Sequence, residues 1–180
     1  MNQSEKNSGN LPRRWVVMGV SGCGKSVVGS LLAERLGVIH VEGDSHHPAA
    51  NIEKMAAGIA LDDNDRHGWL LLLQARIREA AERGEGLVLS CSALKRRYRD
   101  VLRQGDPDLV FLHLDGDREL IAARMRARAG HFMPVRLLDS QFRDLEPLGA
   151  DERGLRVDIR NPPDMLVEQA LQYYKQKKEA

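Results

Sequence analysis

Hydrophobic positions along this chain fall into two alternating textures. Five short runs are almost continuously apolar: Trp15–Met18, Val38–Val41, Leu87–Leu89, Leu109–Leu114 and Leu155–Ile159. Runs this short, without regular polar alternation, are what strands covered on both faces require. Between them, apolar residues recur at helical spacing among charged ones. That spacing predicts helices over Lys25–Leu36, Asp65–Arg83, Lys95–Arg103, Asp117–Arg128 and Asp164–Lys175. Strand and helix in alternation predict an α/β fold in which a parallel sheet carries helices on both faces. Two stretches break the rhythm. Ser45 to Asp65 is long and polar, and Gly130 to Arg153 is charged and carries Met133-Pro134 and Glu146-Pro147. On spacing alone, each is either a substrate loop or lid, or a surface decoration.

With 180 residues, the pattern fits one compact domain. The polar Met1–Pro12 segment is expected to be a disordered tail, leaving 13–180 as the folded unit. It lacks the apolar core of a signal peptide. No apolar run approaches the ~20 residues needed to cross a bilayer. The charge is nearly balanced, 27 basic against 26 acidic residues, net +1. That balance supplies no bulk attraction to nucleic acid or to an acidic membrane. Two cysteines, Cys23 and Cys91, are too few for a disulfide framework, so a reducing cytoplasm is the expected setting.

The strongest chemical signal follows the first apolar run. Gly19-Val20-Ser21-Gly22-Cys23-Gly24-Lys25-Ser26 matches G-x-x-x-x-G-K-[ST] in full. A chain of this length meets so constrained a pattern by chance roughly 1% of the time. Glycines let the backbone take positive φ and turn its N–H groups around phosphates. Lys25 can neutralise the β- and γ-phosphates of ATP, the Ser26 hydroxyl can ligate Mg²⁺, and the following helix adds its positive end. Cys23 fills a variable position. It is either a small side chain that fits or a thiol activated at the helix start.

Acceptor chemistry has to come from elsewhere. Asp44 follows the second expected strand, and in a parallel sheet ligands bind beyond the strands' carboxyl ends. A carboxylate there can hold an acceptor hydroxyl and take its proton; otherwise it only caps the next segment. His46 and His47 come next, suited to bonding a hydroxylated substrate more than a metal, since no second ligand cluster accompanies them. Asp62, Asp63 and Asp65 suit a helix start. Arg66 is a cation at the wrong end of that helix, a misfit that points to an anionic partner held in a bidentate fork. Ser92 could cap the helix after the third strand. Lys95, Arg96 and Arg99 form either a solvated face or an anion-binding wall. Arg124, Arg126 and Arg128 could close on a triphosphate, although helical spacing lets at most two face one ligand.

Taken together these segments resemble the gluconate kinases, small P-loop sugar-acid kinases related in fold to shikimate kinase and the adenylate kinases. The likeness runs from about Val16 to Ile159. It is carried by the phosphate loop and by Glu42-Gly-Asp-Ser-His-His-Pro48, Asn51-Ile-Glu-Lys-Met55, Gly58 to Arg66 with Trp69-Leu70, Cys91-Ser-Ala-Leu-Lys95, Tyr98-Arg-Asp100, His131-Phe-Met133, Ser140-Gln-Phe142 and Leu145-Glu-Pro147. The resemblance implies a three-layer P-loop fold on a five-stranded parallel sheet, an acceptor-binding insertion around 45–80 and a lid around 124–145. It implies ATP and Mg²⁺ as cofactors and phosphorylation of gluconate at its terminal hydroxyl. It places Asp44 on the acceptor hydroxyl, Arg66 on its carboxylate, His47, Lys95 and His131 around the acceptor, and Arg124 and Arg128 on the nucleotide. It also allows a homodimer, although no interface is legible. The chain departs from the family pattern at Cys23, where serine is usual, and at Ala60 and Gly68, where proline is. Two other readings stay open: a kinase for another small acceptor, and a nucleotide-binding module without transfer.

Overall fold

The computed structural model describes residues 11–128 and 135–179, with side chains to residue 176. Its five strands are β1 (Arg14–Met18), β2 (Ile39–Glu42), β3 (Leu87–Ser90), β4 (Val110–Asp115) and β5 (Gly154–Asp158). They form one sheet in the order β2-β3-β1-β4-β5, with every pairing parallel. The helices are α1 (Lys25–Leu36), α2 (Ala49–Ala56), α3 (Asp63–Glu82), α4 (Arg96–Arg103), α5 (Arg118–Ala127), α6 (Leu138–Asp144) and α7 (Pro163–Glu179).

β1 shows why the apolar runs lack polar alternation. Trp15 and Val17 face a core shared with Leu32 of α1, Ile121 of α5 and Ala170 of α7. Val16 and Met18 face the opposite core, with Leu73 and Ile77 of α3 and Leu102 of α4. A central strand is thus buried on both sides, and its residues are 0% exposed from Trp15 to Met18. The edges relax this rule: Ile39 of β2 is 58% exposed.

All five expected strands and all five expected helices are present, their ends shifted by a few residues. α3 starts at Asp63, two residues early, because Asp62 caps it. The Asp62 side chain accepts from the Asp65 N–H, and the Asp65 side chain accepts from the Asp62 N–H, a capping box. Periodicity predicted neither α2 nor α6, which lie inside the two stretches that broke the pattern; α2 falls in the helical insertion that the resemblance implied around 45–80. The N-terminal boundary also shifts. Leu11 packs on the core and the Trp15 indole donates to the Pro12 carbonyl, 2.7 Å, so the folded unit begins before residue 13. The remainder of the expected tail lies outside the described residues.

The basic segment after β3 corrects an expectation. Arg99 does not face a crevice; it is wholly buried. Its Nε and Nη2 donate to the two Glu152 oxygens at 2.8 and 2.9 Å, and Nη1 donates to the Ala93, Leu94 and Glu146 carbonyls. Arg96 is paired with Asp100 and Asp151. No anion-binding wall forms, because these cations already hold carboxylates. Burial pushes the Glu152 carboxyl up, but donors from Arg99, the Gly149 amide and Arg103 outweigh it and bring it down to about 2. Truncating Arg99 leaves that buried charge with Arg103 and the Gly149 amide but without its bidentate partner. Arg99→Ala is expected to lower stability by roughly 3–5 kcal/mol in denaturant titration. Because the folded pKa lies below the usual value near 4.5, the pair's contribution is complete above that pH and is lost as pH falls towards 2.

Candidate functional site

The phosphate loop leaves the carboxyl end of β1, where backbone geometry dictates glycine. Gly19, Gly22 and Gly24 have φ of 144°, 81° and 102°. At Gly19 a Cβ would also sit 2.8 Å from the Leu114 carbonyl oxygen. The loop is fastened from behind. The Gly19 N–H donates to the Ser92 carbonyl, and the Ser90 hydroxyl donates to the Lys25 carbonyl at 3.0 Å. The Lys25 ammonium is buried and folds back onto the Val20 carbonyl, 3.0 Å away, while the Ser26 side chain is exposed at the loop's mouth. Cys23 points inward and is 2% exposed. Burial raises its thiol pKa, the opposite of an activated thiolate.

Three cavities meet at this loop. The largest, about 520 Å³, is bounded by Gly22–Gly24, by Arg124 and Arg128, and by the 159–163 turn ahead of α7. Arg124 is fixed there by donating to the Ile159 carbonyl, 2.9 Å. A smaller one, about 50 Å³, brings Lys25, Ser26, Asp44 and Arg128 together. The third, about 20 Å³, joins Ser21, Lys25 and Asp44 to His47, Arg66 and Gln141. Asp44 sits in the 3₁₀ turn Gly43–His46 that follows β2 and lines both smaller cavities, so it stands where phosphate and acceptor sides meet.

The far side of the third cavity is built on α3. Arg66 is 6% exposed, and its buried Nε has no hydrogen-bond partner. Its guanidinium lies over the Tyr98 ring, 5.6 Å from the centroid. Among the described residues no carboxylate pairs with it, which fits a cation waiting for an anionic ligand. His47 stacks on Trp69 with centroids 4.0 Å apart. Asn51 Nδ2 lies 3.3 Å from His47 Nδ1 and donates to the Asp65 carbonyl at 2.8 Å. With the amide as the donor, Nδ1 accepts and the proton sits on Nε2, 3.9 Å from Asp44 Oδ1. Its partner His46 turns away to the Glu42 carbonyl, so the two imidazoles do not converge on a metal. Among the described residues no cluster of three or more His, Cys, Asp or Glu side chains could hold one.

The structure thus brings together Lys25, Ser26, Asp44, His47, Arg66 and Arg128, with Arg124 on the nucleotide side. Lys95 stands apart: its ammonium is 3.3 Å from Asp63 and 3.5 Å from Asp144. Ser92 is not a helix cap, since Lys95 holds that position; it lines the acceptor cleft instead. His131 lies outside the described residues. Sequence reasoning missed Gln141, Met55 and the 159–163 turn as site components. The first two belong to the helices that periodicity did not predict, and Asn161-Pro162-Pro163 was the one legible mark of the turn.

Comparison with known proteins follows the same lines. Residues 15–148 match a family model described as an AAA domain. A gluconokinase of Gluconobacter oxydans is 46% identical over 174 residues, covering 97% of this chain and 98% of the relative. The solved gluconokinase of Sinorhizobium meliloti superposes with a TM-score of 0.83 at 44% identity, over 93% of this chain and 94% of the other. Shikimate kinase of Aquifex aeolicus shares the fold, with a TM-score of 0.57 at 16% identity, over 93% and 99%.

Burial lowers the His47 pKa from 6.5 to about 4; Asp44 opposes the shift and Arg66 reinforces it. An NMR titration should find this imidazole neutral down to about pH 5. Since the folded value lies below the unfolded one, this group contributes a loss of stability that begins as pH drops below 6.5 and is complete below 4.

Proposed function

The chain belongs to the gluconokinase family, and on that premise we propose that it transfers the γ-phosphate of ATP to the terminal hydroxyl of gluconate, yielding 6-phosphogluconate and ADP. The observation that supports this acceptor is Arg66, a buried guanidinium that no carboxylate pairs with among the described residues, in a cleft shared with Asp44 and Lys25. A sugar acid has what that cleft lacks: a carboxylate for Arg66 at one end and a hydroxyl for Asp44 at the other.

The 520 Å³ cavity has room for the adenosine, leaving the triphosphate to run along the loop to Lys25. Arg128, which borders this cavity and the phosphate cavity, is placed to bind the transferring group, with Arg124 beside it. The donor set suits Mg²⁺, which takes few protein oxygens and completes its shell with phosphates and water; Ser26 would hold it, and the ion would neutralise charge on the β- and γ-oxygens. Asp44 accepts a hydrogen bond from the acceptor hydroxyl, whose oxygen attacks the γ-phosphorus as the bond to the bridging oxygen breaks. The hydroxyl proton passes to Asp44 and then to solvent. His47, held by its stack on Trp69, sets Nε2 3.9 Å from that carboxylate. Rate enhancement comes from alignment and charge neutralisation. The two free, buried thiols, Cys23 and Cys91, support a reducing cytoplasmic setting.

A coupled assay of ADP release from Mg-ATP tests the acceptor directly. Gluconate, shikimate, glucose and AMP are offered separately, and turnover is expected with gluconate alone; turnover with another of them would discard the substrate assignment. Lys25→Ala is expected to lower kcat by ~10²-fold or more with the fold retained. For Arg66→Ala, loss of a charged hydrogen bond should raise the gluconate KM by roughly 10- to 10²-fold and that of ATP far less. An unchanged gluconate KM rejects the carboxylate role.

A further inference from the structure

Gln141 has no part in the chemistry above, yet it occupies the point where the two substrates must meet. It lies in α6, is 6% exposed, and its Oε1 accepts from the Ser21 N–H of the phosphate loop at 2.6 Å. The same side chain lines the acceptor cleft with Asp44 and Arg66. In this structure that cleft has about 20 Å³, room for roughly one water molecule. A six-carbon acid enters only if Gln141 or its neighbours move.

α6 is not free to follow the phosphate loop alone. Leu138 is anchored in the main core, and Leu137 packs with Met55 and Leu61 of the acceptor insertion. Arg136 donates to the Ala57 carbonyl and fills the space over Gly58, where a Cβ would collide with the guanidinium. Gln141 is thereby held by the acceptor insertion at one end and grips a phosphate-loop amide at the other.

From this juxtaposition we propose that Gln141 is a positioning residue that makes the phosphate loop depend on the acceptor. With the cleft empty, its carbonyl holds the Ser21 N–H. When the acceptor enters, a hydroxyl competes for the amide, and Ser21 N–H is released to face the γ-phosphate. A neutral amide suits both states: it accepts from the loop, it can donate to a polyol, and it adds no negative charge beside the phosphate. The coupling favours transfer to the acceptor over transfer to water.

The proposal rests on the kinase reading and is tested by kinetics on the full chain. Gln141→Ala is expected to raise the gluconate KM by about tenfold, the worth of a lost neutral hydrogen bond, with the ATP KM within about twofold. The share of ADP release without phosphorylated acceptor should rise several-fold. Gln141→Glu keeps size and helix propensity but brings a charge and removes the amide donor; it is expected to show the same two changes, with a lower kcat. If either variant keeps parental KM and parental coupling, the proposal is overturned. It is also overturned if Gln141→Ala raises both KM values equally, because loosened packing of α6 alone would do that. Should the parent enzyme use another acceptor, the substrate assignment fails, and the same ratios measured with that acceptor still decide the role of Gln141.

Discussion

The buried Arg99–Glu152 pair is the constraint on which the site's geometry rests. Every nitrogen of the guanidinium is used: Nε and Nη2 donate to the carboxylate, Nη2 also to the carbonyl of 147, and Nη1 to the carbonyls of 93, 94 and 146. Those carbonyls belong to the segment leaving β3 and to the one leaving α6. The first carries Ser92, whose carbonyl receives the Gly19 N–H at the root of the phosphate loop. The second follows Gln141, which reaches the Ser21 N–H. One planar fork, which cannot lose its proton, thus fixes two chain segments that touch the loop from different sides. A lysine could not hold so many acceptors in defined directions.

Against that background, the pairing state of the other cations distinguishes structure from function. Arg96, Arg97, Arg99, Arg103 and Lys95 all have carboxylate partners in the protein. Arg66 is more buried than any of these but Arg99, and among the described residues no carboxylate pairs with it. Burying a guanidinium without an anion costs stability, and a fold keeps such a defect where a ligand will repair it. Arg66 also begins a helix whose positive end repels it, while the Asp62–Asp65 capping box offsets that penalty locally.

Much of this was legible in the sequence, and what was not has physical causes. Strands on a parallel sheet announce themselves as apolar runs, and α1 could be bounded to the residue because Gly24 and Gly37 flank it. The place of Asp44 beside the phosphate loop was legible from position alone, since strand ends converge on one crevice. Arg66 was found as an electrostatic misfit. α2 and α6 escaped because eight and seven residues give too few turns for periodicity to show, and neither carries a side-chain N-cap. Arg99 was ambiguous because Glu152 lies 53 residues away, a distance no local pattern spans. Gln141 sits in the Ser140-Gln-Phe142 segment without a legible role, because a neutral amide carries no charge to betray it.

The contrast between the two sides of the site follows from the chemistry it must control. Water is itself an acceptor for the γ-phosphate, present at far higher concentration than any sugar acid. A nucleotide cavity can stand open, because ATP alone does not define the reaction. The acceptor cleft cannot, since an open polar space between Asp44 and Lys25 would hold aligned water. Closing it with groups that move when the correct acceptor supplies its own carboxylate and hydroxyls turns binding energy into selectivity between acceptors. On the proposed reading Arg66 rewards the carboxylate and Asp44 the hydroxyl, while Met55 and Gln141 line the cleft they share. Specificity in such a site is set less by any single contact than by the requirement that all of them be satisfied together before the phosphate loop faces its acceptor.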